Sequence, residues 1–458
     1  MNNTLRFHLV TDTHHYATCF EYDFEKNRGD QQCRAETGAI IDAAFDLIAN
    51  DKDADIVLIS GDLTCNGEQE SHLEFIEKLR RLKAAGKRVY LITATHDYND
   101  SPTPVIKGSG KKASPTSRAE LPGMYAEFGR SEALSVHEES FCYSVRLMEG
   151  YRLLCLNDDG NGRSRCGYDE DTMRWILGQI EEAKQAGDYI FAMTHHPVLP
   201  PTPIYPLFSK RDMLGDYEET SEILADAGLE FIFTGHSHMQ NIAVKQTAKG
   251  NRIYDINTSS LVGCPTAIRK VALDGEKMAV ETLQIQDFDW DRGGKTVNEY
   301  LQDKFDYLLK EIFYSMAHDL DRFAELAVGF SVDKKTVQKL KVPLKIGGKV
   351  LQRLTVGGLG RLIFASGKID RSIKKVKVKD LIIDVIRNLY MGDEPHAPGT
   401  PVHKAFSALV SRITPVIRRT KKPDDILAIL NLVKDGVLYD APPSDWNAVL
   451  PRREGRQE

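Results

Sequence analysis

Carboxylates and imidazoles recur in this chain in five short clusters: Asp12-Thr13-His14, Gly61-Asp62, His96-Asp97, His195-His196-Pro197 and Gly235-His236-Ser237-His238. Together these residue types suit Mn, Fe or Zn, whereas sites made of oxygen alone suit Mg or Ca. Alternate residues of an extended turn project the same way, so Asp12 with His14, and His236 with His238, can reach one cation or two adjacent ones. A carboxylate such as Asp62 has two oxygens and can bridge. Two cations about 3.5–4 Å apart can hold a hydroxide and clamp a phosphate for in-line displacement. No Gly-x-Ser-x-Gly or cysteine-nucleophile pattern offers a competing hydrolytic chemistry.

Each cluster follows a run with strand character. Leu5–Val10, Ile56–Ser60, Arg88–Thr93, Tyr189–Thr194 and Leu229–Thr234 are short, apolar and β-rich. Two further runs, Phe141–Arg146 and Arg152–Asn157, read as a strand pair, and four more strands fall between Ile242 and Ile285. Helical spacing occupies Ala35–Asn50, Glu68–Ala85 and Glu170–Ala186. This βα alternation predicts a layered α/β domain, and in such sheets ligands gather beyond the carboxyl ends of strands. Asp158-Asp159-Gly160 reads as a turn; His8, His15 and His72 are not assigned to the site.

Asp12-x-His14, Gly61-Asp62, His96-Asp97, His195 and Gly235-His236-x-His238 resemble, in order and spacing, the calcineurin-like metallophosphoesterase superfamily. The run Ser60-Gly61-Asp62-Leu63-Thr64-Cys65-Asn66-Gly67-Glu68 through Ser71-His72 is similar to bacterial phosphodiesterases with a helical C-terminal domain. The resemblance covers roughly residues 4–285. It implies a four-layer β-sandwich flanked by helices and two divalent transition-metal ions, Mn, Fe or Zn. It also implies hydrolysis of a phosphate ester, a phosphodiester of a small molecule or nucleotide, by a metal-bound hydroxide. Asp12, His14 and His238 would hold the first ion, Asp62 would bridge, and His195 and His236 would hold the second. His96 would act as general acid or electrostatic stabiliser, with Asp97 orienting it.

One position departs from the family pattern. Where the family carries Gly-Asn-His, this chain reads Ala94-Thr95-His96. A threonine hydroxyl is a poorer ligand than an amide oxygen, so the second ion is expected to bind weakly, through Thr95, a water or nearby Asn99. Two alternatives stand beside hydrolysis of a small phosphorylated substrate. One is a nuclease of the same superfamily; the other is a non-catalytic binding module with a weakened second metal site. Substrate pockets are expected in the loops 15–34, 99–117 and 199–215.

The length of 458 residues exceeds what one core usually serves. From about Asn298 helical spacing dominates, which predicts a catalytic domain over 1–287 and a mainly helical domain over 288–458. Charge divides similarly. The net −6 hides a balance of −19 over 1–333 and +13 over 334–379, where 14 Lys and Arg face only Asp370. That basic block reads as a solvated surface, as a peripheral contact with an anionic membrane, or as steering for a polyanion. Phe364 is its only aromatic, which disfavours nucleic-acid stacking. No transmembrane run or signal peptide is read from the sequence. Seven cysteines without CxxC spacing fit a reducing cytoplasm rather than a disulfide framework.

Overall fold

In the computed structural model, which describes residues 4–160, 166–328, 334–440 and 443–453, the chain forms two compact units. The first comprises Met1–Pro201, Arg211–Gln302 and Pro443–Glu458; the second comprises Thr202–Lys210 and Asp303–Pro442. The sequence reading divided the chain at 287/288. By contact, the segment after 287 up to Gln302 and the C-terminal segment from Pro443 lie with the first unit.

Two sheets make up the middle of the first unit. Among the described residues its thirteen strands, in chain order, are β1 Leu5–Val10, β2 Ile56–Ser60, β3 Arg88–Ile92, β4 Ser135–Val136, β5 Tyr143–Met148, β6 Tyr151–Cys155, β7 Tyr189–Met193, β8 Phe231–Thr234, β9 Asn241–Gln246, β10 Arg252–Asn257, β11 Ile268–Leu273, β12 Lys277–Leu283 and β13 Ala448–Pro451. One sheet runs β13-β12-β11-β1-β2-β3, the other β4-β5-β6-β7-β8-β10-β9. Strands β1, β2 and β3 are parallel, as are β6, β7, β8 and β10. Consequently the loops after β1, β2, β3, β7 and β8, which carry the five clusters, leave the carboxyl ends of parallel neighbours.

Phe7 on β1, Phe191 on β7 and Phe233 on β8 meet between the sheets, with ring centroids 5.5 Å apart from Phe7 to each of the others. All three are fully buried, and each contributes about 1.5–3 kcal/mol of apolar burial. They anchor three of the strands from which ligand loops emerge. Outside each sheet lies a helical layer. Helices Thr37–Asn50 and Gln69–Ala84 bury Ile40, Phe45, Phe75 and Leu79 against the first sheet. Helices Glu170–Gln185 and Tyr217–Ala227 bury Ile176, Ile180 and Leu224 against the second. The result is the expected four-layer α/β/β/α sandwich.

Some elements were not foreseen. Helix Tyr217–Ala227 precedes β8, and β13 pairs antiparallel with β12 at an edge. The second unit is helical, including Val378–Met391, Pro401–Ile417 and Pro423–Gly436. Within the basic block, Lys341–Arg353 is a helix with Pro343 in its first turn, where a missing N–H costs nothing. No helix among the described residues is long and apolar enough to cross a membrane.

Candidate metal centre

Backbone hydrogen bonds join the loop after β1 to that after β2, and the loop after β8 to that after β7. Asp12 N–H donates to Gly61 O at 3.1 Å, His14 N–H to Asp62 O at 3.0 Å, and Gly235 N–H to His195 O at 2.9 Å. The loops turn sharply. Asp12, His14, Asp62, His236 and His238 all have φ between +39° and +63°, a region that ordinary side chains avoid. Such strain concentrates where a surrounding structure fixes a functional geometry. Gly61 and Gly235 permit the close approach. A Cβ on Gly61 would lie 2.8 Å from His195 Nδ1, and one on Gly235 would lie 2.4 Å from Asp12 Oδ2.

The structure gathers the residues into two sets whose ligand atoms lie within 4.8 Å of one another: Asp12, His14 and His238, and Asp62, His195 and His236. Asp12 Oδ1 is 3.3 Å from His238 Nε2, 3.6 Å from His14 Nε2 and 3.9 Å from His195 Nε2. Within the second set His195 Nε2 lies 3.1 Å from Asp62 Oδ2, and the 3.9 Å approach of Asp12 Oδ1 to His195 Nε2 links the two sets.

The donor set fits divalent cations on its own terms. Asp12 Oδ1 and His195 Nε2 are buried, and the atoms they face are themselves ligand atoms of the two sets. His14 Nε2 and His238 Nε2 point at each other at 3.0 Å, as two lone pairs do toward a shared cation. His195 Nδ1 donates to Ser60 O at 2.8 Å, which leaves Nε2 as the ligand nitrogen.

Electrostatics bind the sets together. Burial pushes the Asp12 and Asp62 carboxyls up, but the neighbouring imidazoles outweigh it. Asp12 ends at about 2 and Asp62 well below the usual carboxylate range. Burial alone would lower His195; Asp62 and Asp12 raise it to about 10. Burial dominates at His14, lowered to about 3, and at His236, also well below its usual value. His195 thus carries the cation between two carboxylates, and a metal ion entering there displaces its proton.

The loop after β3 departs from expectation. Thr95–Asp97 forms a single 3-10 turn. Asp97 does not orient the His96 ring: its Oδ1 accepts from Thr64 N–H at 2.9 Å and its Oδ2 from Ala94 N–H at 2.8 Å. His96 Nδ1 donates instead to Cys65 O at 2.7 Å, while His96 N–H donates to Asp62 Oδ1 at 3.0 Å. The physical reason is reach. A carboxylate with one oxygen held by its own turn at Ala94 and the other by Thr64 has none left to aim at the adjacent ring. Burial, then the Asp62 charge, raises Asp97 to about 7. Asn99 Oδ1 accepts from Ser101 N–H at 2.8 Å in a local turn, and Thr95 is half-buried.

Sequence reasoning missed two supports. Asp158, read as a turn residue, is buried just past β6. Its Oδ2 accepts from Thr194 Oγ1 at 2.8 Å and from the backbone N–H groups of His195 at 3.1 Å and His196 at 2.7 Å. Its Oδ1 lies 2.9 Å from His196 Nδ1, and the His196 ring sits 4.0 Å from that of His236. Burial raises Asp158, but His196 outweighs it and holds the carboxyl at about 2. Its place after a parallel strand, shared with every ligand loop, was the available signal. His72 is the other: its Nε2 donates to Asp97 O at 2.9 Å, so its Nδ1 accepts from Tyr125 OH at 2.7 Å. His15 is buried 3.3 Å from Glu74, and His8 pairs with Asp51 at 3.0 Å; both stand apart from the ligand sets.

A family model described as calcineurin-like phosphoesterase matches residues 5–240. Among solved structures, a dimetal phosphatase from Danio rerio is similar at 11% identity and TM-score 0.47, covering 62% of this chain and 97% of that one. The NAD nucleotidase of Haemophilus influenzae is similar at 12% identity and TM-score 0.33, covering 78% of this chain and 62% of its own. A phosphopantetheinyl hydrolase from Mycobacterium tuberculosis gives 12% identity and TM-score 0.29, over 57% of this chain and 91% of that one. No curated protein matches the chain.

Proposed function

Because the chain belongs to the calcineurin-like phosphoesterase family and is thereby a metallophosphoesterase, we propose that its site hydrolyses a phosphodiester of a small molecule or nucleotide. The observation that carries this reading is the convergence of two ligand sets from four loops, with Asp12 Oδ1 and His195 Nε2 buried and 3.9 Å apart between them. Asp12, His14 and His238 would hold one ion and His195 and His236 the other, with Asp62 able to serve both. When bound, such ions would supply a water nucleophile at neutral pH and neutralise charge on the phosphoryl oxygens.

The rest of the chemistry belongs to side chains. His96, its Nδ1–H committed to Cys65 O, presents Nε2 toward the leaving oxygen, as general acid or as a hydrogen-bond donor to developing charge. Asp97 is a positioning residue that ties Ala94 and Thr64 across the turn and so sets where His96 stands. Asp158 does the same for His195. Thr95, without an amide oxygen, leaves the second ion the weaker of the two.

Carboxylates and imidazoles together suit Mn, Fe or Zn, and manganese is the ion taken first for the test. A reducing cytoplasm agrees with seven cysteines of which none forms a disulfide among the described residues. The test is metal content by mass spectrometry together with turnover of bis(4-nitrophenyl) phosphate under added Mn, beside Asp62→Asn. About two ions per chain and loss of turnover in the variant support a dinuclear diesterase. One ion with weak turnover assigns a crippled second site; no metal and no turnover turn the reading to a binding module.

A further inference from the structure

The basic block holds a surface that hydrolysis does not use. In helix Lys341–Arg353, Val342, Ile346 and Val350 are 67%, 60% and 50% exposed, spaced four residues apart on one face. Lys341, Lys345 and Lys349, also exposed, follow the same spacing on the adjoining face. Two turns of chain later, Leu362 is 69% and Phe364 85% exposed. Phe364 has φ +55°, a conformation a bulky aromatic side chain avoids, and it points outward just past helix Val356–Leu362. Large apolar side chains aligned on an exposed helix face, as Val342, Ile346 and Val350 are, mark a contact site.

We propose that this face of the helical unit docks on an anionic lipid bilayer, with the lysines at the headgroups and Val342, Ile346, Val350, Leu362 and Phe364 reaching the acyl boundary. Charge complementarity selects that occupant: 14 basic residues face a single carboxylate over 334–379. Hydrocarbon is selected by the side chains themselves, which are aliphatic with one aromatic, whereas a nucleic-acid platform needs several stacking rings. The same unit contains a pocket of about 380 Å³ lined by Leu359, Ile363, Ile369, Val378, Ile386 and Leu409, among other apolar residues, a lining in keeping with acyl chains. Proximity to an anionic surface adds attraction for each lysine that falls away within a Debye length.

The full chain is mixed with vesicles of phosphatidylcholine alone, or of phosphatidylcholine with phosphatidylglycerol at roughly 7:3, and sedimented at about 0.1 M and 0.5 M NaCl. The expected result is binding to the anionic vesicles, weakened by salt and nearly absent without phosphatidylglycerol. Lys345→Ala with Lys349→Ala lowers the partition about thirtyfold. Ile346→Ser with Val350→Ser, and Phe364→Ser separately, lower it at any salt. Unchanged turnover of bis(4-nitrophenyl) phosphate shows that each variant is folded. Absence of lipid-dependent sedimentation, or variants that bind like the wild type, overturns the proposal. So does a concentration-dependent dimer lost in Ile346→Ser/Val350→Ser without vesicle binding, which gives the face to a second copy. A shift with a single-stranded oligonucleotide and no vesicle binding gives it to nucleic acid and overturns it equally.

Discussion

Gly235→Ala tests the site through its backbone, without touching a ligand. The added methyl would lie 2.1 Å from Thr11 Oγ1 and 2.4 Å from Asp12 Oδ2. Ordinary contact begins near 3.4 Å, so the Asp12 carboxylate must retreat by about 1 Å. That retreat strains two hydrogen bonds to Oδ2, from Thr11 Oγ1 at 2.7 Å and from His236 N–H at 3.0 Å. It also swings Oδ1 away from His14 and His238. Overpacking of this kind costs about 1–3 kcal/mol of stability. A displacement of about 1 Å at a reacting centre costs about 100-fold in rate. The assay is kcat/KM on bis(4-nitrophenyl) phosphate at saturating Mn, with metal content measured on the same sample. Gly178→Ala is the control: nothing lies within 4 Å of its Cβ, in the middle of helix Glu170–Gln185. That control should keep full activity and gain about 0.5–1 kcal/mol. A Gly235→Ala enzyme with full metal content and kcat/KM within about twofold of wild type would refute the placement of Asp12 at the reacting centre.

Asp158→Asn sets an amide NH₂ among donors that now meet a carboxylate, and should destabilise the fold by about 3 kcal/mol while weakening the second ion; an unchanged thermal midpoint and metal titration would oppose it. Tyr125→Phe removes the hydroxyl that donates to buried His72 Nδ1 and should cost about 1–3 kcal/mol in a urea melt, with kcat lowered through the Asp97 turn. Thr95→Asn restores an amide oxygen beside His96 and should tighten the second Mn about tenfold, read as two ions per chain at lower free metal. His8 concerns pH. Burial outweighs the pull of Asp51 and lowers its pKa from 6.5 to about 4. Below pH 6.5 the unfolded chain therefore takes up a proton that the folded chain refuses. Stability from this group is intact above that pH and falls on acidification toward 4, by about 1.4 kcal/mol per unit and about 3 kcal/mol in all. Urea melts of wild type and His8→Asn across this window should differ in slope by one proton; parallel curves would sink the assignment.

The sequence by itself determined the parts. Short continuous apolar runs marked β1, β2, β3, β7 and β8 to within two residues, because a strand buried on both faces must be apolar throughout. The residue types after those strands were readable as ligands, because only carboxylates and imidazoles, repeated at strand ends, have that chemistry to offer. Tertiary structure decided what each ligand loop leans on. Thr64 claims Asp97 from 33 residues away, and Cys65 claims His96 from 31. Asp158 serves His195 from 37 residues away, and Ala448–Pro451 returns to pair with Lys277–Val280. Periodicity and composition report only neighbours along the chain. Hydrogen-bond partners are set by which loops the sheet order brings together, and so they become visible only when the chain has closed on itself.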